Sequence, residues 1–538
     1  MHQSTNDILA LCDEILLAIL NRLNSIDVLY SIIGVNERLD RLARDISFTR
    51  SIDLVTILSN EDNPSKTSSI LNRFCFDILP RIQHNIECLT LDPLSIDRVL
   101  RIGNYPKLDQ LTLVNLPPLL MSRIFDDESS IIHRFKNNIT HLSVTMNEVS
   151  TCDFIQNLVV NVVNTIFIIF TNLTCLHFGL QDACLYSPTL LIDFLPTTRF
   201  SSNVVHLNIS VCDLDDCLYL LDGRLSQLQT FIVEVYMISK TSMLLNNMET
   251  VSKLKCFSLS SFLFTTEYDS QIVPLLHQMS QLENLTLSLL VCDRASFIDG
   301  THLINDIASK MSYLNAFIFN ITTTGTTMDE ELYPTSDEVS RVLIQAGYNV
   351  ECYIDCSQLG LGSCHIYSLP FTMERMDTFV DNFPDGVFLT VRHLFVHDLF
   401  RPFEHDFFIQ ISQSCPLLHK LTISNSNAQQ KKFMHQQNEH EQTSSIVQFS
   451  HLMILDLSMA SLDYAEQFLF DFNTHLPCLN TLLINYYILV NATQYFTNNP
   501  ARATCSKLQR IICEEKPKMY PENFCAYFPL LKKIKASS

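Results

Sequence analysis

A short hydrophobic pattern, apolar–x–x–apolar–x–apolar, recurs along most of the chain and is first complete at Ile86, Leu89 and Leu91. Further copies open at Leu108, Ile139, Leu173, Val204, Leu228, Leu254, Leu282, Leu314, Val391, Leu418, Leu452, Leu479, Leu508 and Leu531. Apolar residues two positions apart are typical of a strand that buries one face. Because most copies lie 22 to 34 residues apart, the pattern predicts a repeat protein in which each copy supplies one strand.

Helices are predicted between these strands. The segment from Phe403 to Ser414 places Phe407, Phe408 and Ile411 on one side at helical spacing. In four copies a proline, which cannot continue a helix, stands two residues before the opening position, at Pro106, Pro416, Pro477 and Pro529. One helix–strand unit cannot bury its own apolar face, so we expect an α/β solenoid with parallel strands on its concave face and helices on its convex face.

The repeat is expected to be irregular in two regions. Residues 325–385 fit the pattern poorly; within them, Val350 to Tyr353 is predicted as a degraded strand and Thr372 to Asn382 as a helix. Residues 429–445 are rich in Gln, His and Glu and lie between two clear strands, which predicts a polar surface insert.

The first fifty residues follow a different pattern, with helical periodicity and no strand signal. A first helix is predicted from Asp13 to Arg22, opened by acidic residues at its positive end. Ser25 can cap a second helix and Asn36 a third, which would contain Leu39, Leu42 and Ile46. A unit of about 40 residues has a marginal core by itself, so a neighbouring domain or a partner normally completes it.

The first helix carries more apolar surface than one core face needs. Ile15, Leu16, Ile19, Leu20 and Leu23 cover an arc of about 140° at 100° per residue. Two interpretations are open from the pattern alone. The excess surface packs against the first repeat of the same chain, or it is a docking face for another protein.

Composition narrows the classes of partner. Of 538 residues, 47% are hydrophobic and 17% charged, as in folded chains, and the net charge of −21 argues against a nucleic-acid interface. The uncharged run from Phe154 to Gln181 contains Gln156, Asn157, Asn161, Asn164 and Asn172, whose side chains hydrocarbon would leave unpaired, so no membrane span is expected. The 18 cysteines are scattered and no secretory signal is recognised, which favours reduced thiols and a cytoplasmic or nuclear protein.

Signals for catalysis or cofactor binding are missing from the sequence. We find no phosphate-binding loop, nucleophile elbow or zinc-protease motif, and Gly360-Leu361-Gly362-Ser363 is an isolated glycine-rich turn. His435 and His440 in the polar insert lack the spacing of a metal site. We therefore expect no catalytic residues, no metal, no cofactor and no enzymatic activity.

Two resemblances to known families follow from these residues. From about residue 80 onward the repeats resemble leucine-rich repeats, although the Asn or Cys that the family prefers after each strand is mostly absent. The segments Leu11-Cys12-Asp13-Glu14-Ile15-Leu16 and Val35-Asn36-Glu37-Arg38-Leu39 resemble an F-box, with Cys12 where the family commonly has Pro and no Trp after the third helix. The F-box resemblance implies docking onto the Skp-family adaptor of a cullin–RING ubiquitin ligase. The implied adaptor contacts are Leu11, Glu14, Ile15, Leu16, Leu20 and Leu23.

A substrate face is predicted from the strand residues that alternate with the buried ones. These outward positions are mostly neutral and polar, and include Lys420, Thr422 and Ser424. The most selective candidates for substrate contacts are His141, His177, His206, Asn284, His393, Phe395 and His397. The alternative is that Ser, Thr and His simply suit exposed strand positions and contact only water and neighbours.

The sequence thus predicts an F-box module at 4–50, a linker or N-terminal cap at 51–80 and a leucine-rich-repeat solenoid at 81–538. The F-box would dock the adaptor, and through it a cullin, while the repeats hold an unidentified protein substrate of an SCF-type ligase. The alternative is a leucine-rich-repeat interaction scaffold with no ligase role. A secreted receptor is a third interpretation, since six N-x-S/T sequons occur, most of them at the predicted strands.

Overall fold

The computed structural model describes residues 8–55, 64–125, 131–146, 153–180, 203–241, 251–327, 333–356, 361–378, 383–398, 400–430, 446–513, 520–531 and 533–536. Contacts divide the chain into two compact units, described here one at a time. Unit 1 comprises Met1–Phe262 with Pro274–Leu285, and unit 2 comprises Leu263–Val273 with Thr286–Ser538.

Unit 1 begins with four short helices: α1 (Asp13–Leu20), α2 (Ser25–Ile32), α3 (Glu37–Ala43) and α4 (Ile46–Thr49), preceded by a 3₁₀ turn at Ile8–Ala10. We call residues 8–49 the N-terminal module. The Asn36 side chain caps α3 as predicted by accepting from the Leu39 amide. The second helix is capped one residue earlier than predicted, because Asn24 accepts from the Ile26 amide. The Asp45 side chain accepts from the Ser47 amide and starts a separate helix at Ile46.

Eight parallel strands follow one another through unit 1 in sequence order. They are β1 (Ser51–Asp53), β2 (Cys88–Leu91), β3 (Gln110–Leu116), β4 (His141–Met146), β5 (Cys175–Leu180), β6 (His206–Asp213), β7 (Thr230–Met237) and β8 (Cys256–Ser261). The helices between them are α5 (Pro64–Arg73), α6 (Leu79–Ile82), α7 (Ile96–Ile102), α8 (Pro118–Phe125), α9 (Asp153–Ile169) and α10 (Leu214–Leu221). Single helical turns occur at Phe74–Ile78, Ile131–Phe135 and Val251–Lys253. Helix α11 (Val273–His277) begins in unit 2 and ends in unit 1, whereas strand β9 (Asn284–Cys292) begins in unit 1 and ends in unit 2.

The first strand of this sheet lies upstream of the predicted repeats. Residues Ser51–Asp53 lie within the segment 51–80 that was expected to be a linker or cap. They form strand β1, which pairs in parallel with Cys88 to Thr90 of β2. The Arg50 carbonyl accepts from the Cys88 amide and continues this ladder. The repeat sheet therefore begins directly after α4, with only Arg50 between them.

Unit 2 contains an antiparallel insertion and then a second parallel sheet. Strand β10 (Ala316–Thr327) pairs antiparallel with β12 (Leu361–Ser368), which pairs antiparallel with β11 (Val350–Cys356). The second sheet has the order β13 (Arg375–Thr378), β14 (His393–His397), β15 (Lys420–Asn425), β17 (Ile454–Ala460), β19 (Thr481–Ile484), β20 (Arg510–Cys513) and β21 (Lys533–Ala536), and each strand is parallel to its neighbours. A small parallel ribbon is formed by β16 (Val447–Gln448) and β18 (Thr474–His475).

The helices of unit 2 precede or follow these strands. They are α12 (Gly300–His302), α13 (Ser336–Gln345), α14 (His405–Ser414), α15 (Leu462–Leu469), α16 (Tyr486–Ala492), α17 (Asn499–Cys505) and α18 (Phe524–Tyr527), with helical turns at Tyr268–Ile272, Leu303–Ile307 and Ala308–Lys310. The predicted helix at 403–414 thus begins at His405 and buries Phe407, Phe408 and Ile411 as expected.

The hydrophobic pattern located the strands with a constant offset. In all fifteen copies the strand begins two residues after the opening apolar position, as with Leu142 and Val144 in β4, which are 1% and 0% exposed. The prediction of a mixed α/β chain with a large parallel sheet is confirmed. Burying one apolar row per strand between sheet and helices removes these side chains from water and gives each unit its core.

Two predictions for the irregular region differ from the structure. The strand expected at 350–353 exists, but it belongs to an antiparallel hairpin and not to the parallel series. The helix expected at 372–382 is wrong where the chain is described, because Arg375–Thr378 is a strand paired with β14. Met376 and Thr378 are fully buried by that pairing, and such burial outweighs the weak local preference for a helix. The predicted insert at 429–445 falls almost entirely outside the described residues.

The apolar run expected not to span a membrane forms helix α9, which ends at Ile169, followed by strand β5 from Cys175. Within the described parts of the chain, no helix combines the length and the hydrophobicity needed to traverse a bilayer.

Candidate docking surfaces

The predicted adaptor contacts on the N-terminal module separate into buried and exposed residues. Leu16 and Leu20 are 2% and 7% exposed and belong to the core of the module. Ile15 and Leu23 are 48% and 55% exposed, and Ile19, which was not among the predicted contacts but belongs to the same apolar arc, is 41% exposed. Glu14 is also exposed, and Leu11 is half-buried. A partner would therefore meet Ile15, Ile19 and Leu23, which we call the α1 flank, whereas Leu16 and Leu20 support this flank from behind.

Arg38 on α3 positions the start of α1. Its Nε atom donates to Asp13 Oδ1 at 2.7 Å, and its two terminal nitrogens donate to the backbone carbonyls of Leu9 and Leu11. Arg41 donates to the other oxygen of Asp13 at 2.9 Å. The hydrogen bond from Arg38 is the main cause that lowers the pKa of the Asp13 carboxyl. The Arg38 guanidinium therefore fixes the start of α1, because it donates to the Asp13 carboxylate and to two backbone carbonyls just before the helix.

The module is joined to the rest of unit 1 through α2 and α3. The Tyr30 ring on α2 stacks on the Phe74 ring with centroids 6.1 Å apart. The Arg73 guanidinium lies 4.7 Å from the centre of the Tyr30 ring. Arg81 reaches Asp40 on α3 at 3.3 Å. Because these contacts use α2 and α3, the α1 flank stays exposed within the described chain.

The strand face of unit 1 brings some of the predicted substrate residues into register. His141 lies opposite Cys175, which lies opposite His206, so the two exposed histidines share one cross-strand row. His177 lies two positions further along β5, and burial lowers the pKa of its imidazole. Asn284 donates from its side-chain amide to Cys256 Sγ at 3.2 Å. These residues form a neutral, hydrogen-bonding surface.

In unit 2, the predicted substrate residues His393, Phe395 and His397 alternate along β14 and are each half-buried. The Phe395 and His397 rings are nearly parallel with centroids 6.0 Å apart. His397 Nδ1 lies 2.9 Å from Ser424 Oγ. Burial is the largest influence on the His397 imidazole and lowers its pKa, so the ring is neutral at neutral pH.

The neighbouring strand in unit 2 is less open than predicted. Lys420, Thr422 and Ser424 were expected to face solvent, but all three are buried. Charges of opposite sign lie together on this face: Arg375 pairs with Asp377 at 3.0 Å, and the Lys420 ammonium acts on Asp456. Burial nonetheless raises the pKa of both carboxyls. Much of this polar face is therefore satisfied within the chain.

A cavity of about 220 Å³ opens beside His397. Its walls come from Phe264, from Thr324 and Gly325 in β10, from Asp355 in β11, from Leu361 and Ser363 in β12, and from His397, Asp398, Phe400 and Arg401. Of these residues only His397 was predicted as a binding residue. The glycine-rich turn at 360–363 was a partial signal, since Leu361 and Ser363 belong to it, but nothing in the sequence linked it to the other segments.

The described residues contain no group of three or more His, Cys, Asp or Glu side chains arranged to hold a metal ion. The two histidines of the polar insert lie outside the described residues.

Comparison with known proteins gives little further information. No protein-family model matches the chain, and no curated protein matches it. Among solved structures, it is similar to the crystal structure of a mouse RP105/MD-1 complex, with a TM-score of 0.23 and 10% sequence identity over 84% of this chain and 79% of that one. A likeness this weak carries no argument about function, so the proposals below rest on the residues themselves.

Proposed function

We propose that this protein is a substrate-recognition subunit of an SCF-type ubiquitin ligase, with a leucine-rich-repeat body behind an F-box. The N-terminal module would dock a Skp-family adaptor and, through it, a cullin, while the strand faces of the repeats hold a protein substrate. The chain itself would perform no chemistry. Its contribution would be proximity, because holding a target near an enzyme on another chain raises the effective concentration of target lysines.

The observation that carries this proposal is the α1 flank. Three large aliphatic side chains are each more than 40% exposed: Ile15 and Ile19 on α1, and Leu23 in the turn that follows it. Arg38 holds the start of this helix in place. Clustered exposed aliphatic residues next to a polar rim favour a protein interface. The F-box resemblance of the surrounding sequence identifies the class of partner.

The test is copurification of the full chain with a recombinant Skp-family adaptor. Replacing Ile15 and Ile19 together by Asp places charges on the flank and is expected to weaken adaptor binding by more than about tenfold. The matched control is Ile168→Asp, which introduces the same charge at a residue that is 61% exposed on α9. Leu16→Asp is unsuitable, because a charge in that buried position would disrupt the module itself.

The second candidate function is a leucine-rich-repeat interaction scaffold whose N-terminal module only covers the end of the repeats. The contacts of Tyr30 with Phe74 and of Asp40 with Arg81 support this alternative, since they fasten the module to the following helices. The two functions predict opposite results in the same experiment. If the unmodified chain fails to bind the adaptor while remaining folded, the scaffold is correct and the ligase role is excluded.

A further inference from the structure

The cavity beside His397 lies next to a break in the strand ladder of unit 2. The pairing of β10 with β12 shifts register between Thr324 and Thr326, and Gly325 between them has a φ of +74°. A left-handed residue in a strand forms a bulge, and glycine takes this conformation at little steric cost. The bulge adjoins Ser363, which lies opposite Thr324 in the ladder.

Ser363, one of the residues that line this cavity, has an unpaired hydroxyl. The residue is 8% exposed, and its Oγ atom has no hydrogen-bond partner in the described structure. A buried hydroxyl without a partner costs free energy, which a bound donor or acceptor would recover.

The charged residues of the cavity leave one negative charge in excess. The Arg401 guanidinium pairs with both carboxylate oxygens of Asp355 at 2.5 Å. Asp398 is different, because its Oδ1 accepts from the backbone amides of Phe400 and Arg401 at 2.7 and 2.9 Å. Among the described residues it forms no ion pair with Lys or Arg. Backbone amides hold this carboxylate in position without neutralising it.

The apolar walls and the volume limit what can enter. Phe264, Leu361 and Phe400 supply apolar surface next to the carboxylate. The volume of about 220 Å³ is smaller than the roughly 300–1,000 Å³ of typical small-molecule sites. A single long side chain with an apolar stem and a cationic end matches this combination, since the stem covers apolar surface while the end meets the carboxylate and the aromatic faces.

We propose that this cavity binds one lysine or arginine side chain of a protein partner, with Asp398 opposite the cationic group and Ser363 accepting from it. The inference rests on the proposed role of the repeats in holding a protein, and it is independent of adaptor docking. The net charge of −21 would favour encounter with a basic segment of a partner.

The test uses the full chain and saturation-transfer NMR with three probes: N-acetyl-lysine methylamide, its arginine counterpart and its norleucine counterpart, which has no charge. We expect saturation transfer to the lysine or arginine probe, weakened by salt, and at least about tenfold weaker binding of norleucine. Asp398→Asn keeps the acceptor for the two backbone amides but removes the charge, and should weaken the basic probe at least about tenfold. The control Asp337→Asn removes the same charge at an exposed position of α13 and should change nothing.

A second variant and a measurement of folding distinguish loss of binding from loss of structure. Ser363→Met fills the cavity with an apolar side chain and should also abolish binding of the basic probe, while circular dichroism shows whether either variant has lost structure. Absence of transfer to both basic probes, equal binding of norleucine, or unchanged binding by Asp398→Asn would each overturn the proposal. Copurification with the adaptor is measured in parallel, so failure of the cavity and failure of the ligase role are distinguished.

Discussion

The Arg38 guanidinium donates its Nε–H to the Asp13 carboxylate at 2.7 Å and so links the third helix of the N-terminal module to the start of the first. The same side chain donates to the carbonyls of Leu9 and Leu11, which precede α1. Replacing such a group leaves several acceptors without their donor at once, so its removal should affect the whole entry to α1.

Arg38→Met is therefore expected to loosen α1 while retaining most of the apolar stem of the side chain. Amide hydrogens of residues 13–20 should exchange faster, because local opening of the helix costs less free energy. If α1 is the docking element, adaptor affinity should fall as well. Arg22→Met is the control, since Arg22 is exposed and lies just beyond the C-terminal end of α1. Unchanged exchange in Arg38→Met would show that Asp13 and the carbonyls find other partners.

Ile15 and Leu16 are neighbours in sequence, but Ile15 is exposed and Leu16 is buried. Substitutions at these two positions therefore test adaptor binding and module stability separately. Leu16→Ala removes a buried side chain and should destabilise the module by about 2–5 kcal/mol. Ile15→Ala removes an exposed one and should change stability by less than about 0.5 kcal/mol. Hydrogen exchange of α1 measures the first effect.

Adaptor binding gives the complementary readout for this pair. Ile15→Ala should weaken copurification even though the module remains as stable as before. Equal loss of stability in both variants would mean that the α1 flank is covered in solution.

His365 should make unit 2 less stable in acid. The residue is fully buried; its Nε2 lies 2.7 Å from Asn320 Oδ1, and the Asn320 amide nitrogen lies 3.2 Å from Ser288 Oγ. Burial lowers the pKa of the imidazole from 6.5 to about 4. As the pH falls, the unfolded chain takes up this proton near pH 6.5, before the folded chain can. The free energy of unfolding therefore has its full value above pH 6.5 and falls by about 3 kcal/mol between pH 6.5 and 4.

The measurement is urea unfolding by circular dichroism at pH 8, 6 and 4.5. His365→Gln can still donate to Asn320 but does not titrate, so its unfolding free energy should fall less between pH 8 and 4.5 than that of the parent chain. The comparison at pH 8, where the imidazole is neutral in both states, serves as the reference. Parallel pH profiles for the two proteins would contradict the assignment.

Gly103 should not tolerate a side chain. A Cβ atom there would lie 2.1 Å from Cζ of Tyr105, a buried residue whose hydroxyl donates to the Val99 carbonyl at 2.9 Å. Gly103→Ala must displace that ring and should cost about 1–3 kcal/mol of stability. Gly179→Ala in β5 is the control, since its Cβ would meet only Ser210 Oγ at 3.4 Å, an ordinary contact. Thermal melting of both variants measures the difference.

The sequence alone determined where the fifteen strands of the repeating pattern lie. The rule that each begins two residues after an opening apolar position holds from Ile86 to Leu531, because burial of alternate residues is a local property that every repeat must satisfy. It also determined the helical character of the N-terminal module and the cap at Asn36.

Tertiary structure decided what depends on distant partners. Only pairing with β12 makes Val350–Cys356 antiparallel, and only pairing with β14 makes Arg375–Thr378 a strand. Leu16 and Ile15 look alike in the sequence, and packing alone buries the first and exposes the second. The cavity joins Phe264 to residues as far along the chain as Arg401. Hydrophobic periodicity encodes which face of a single helix or strand is buried. The cavity depends instead on which helices and strands pack together, and that arrangement is set only when the whole core forms.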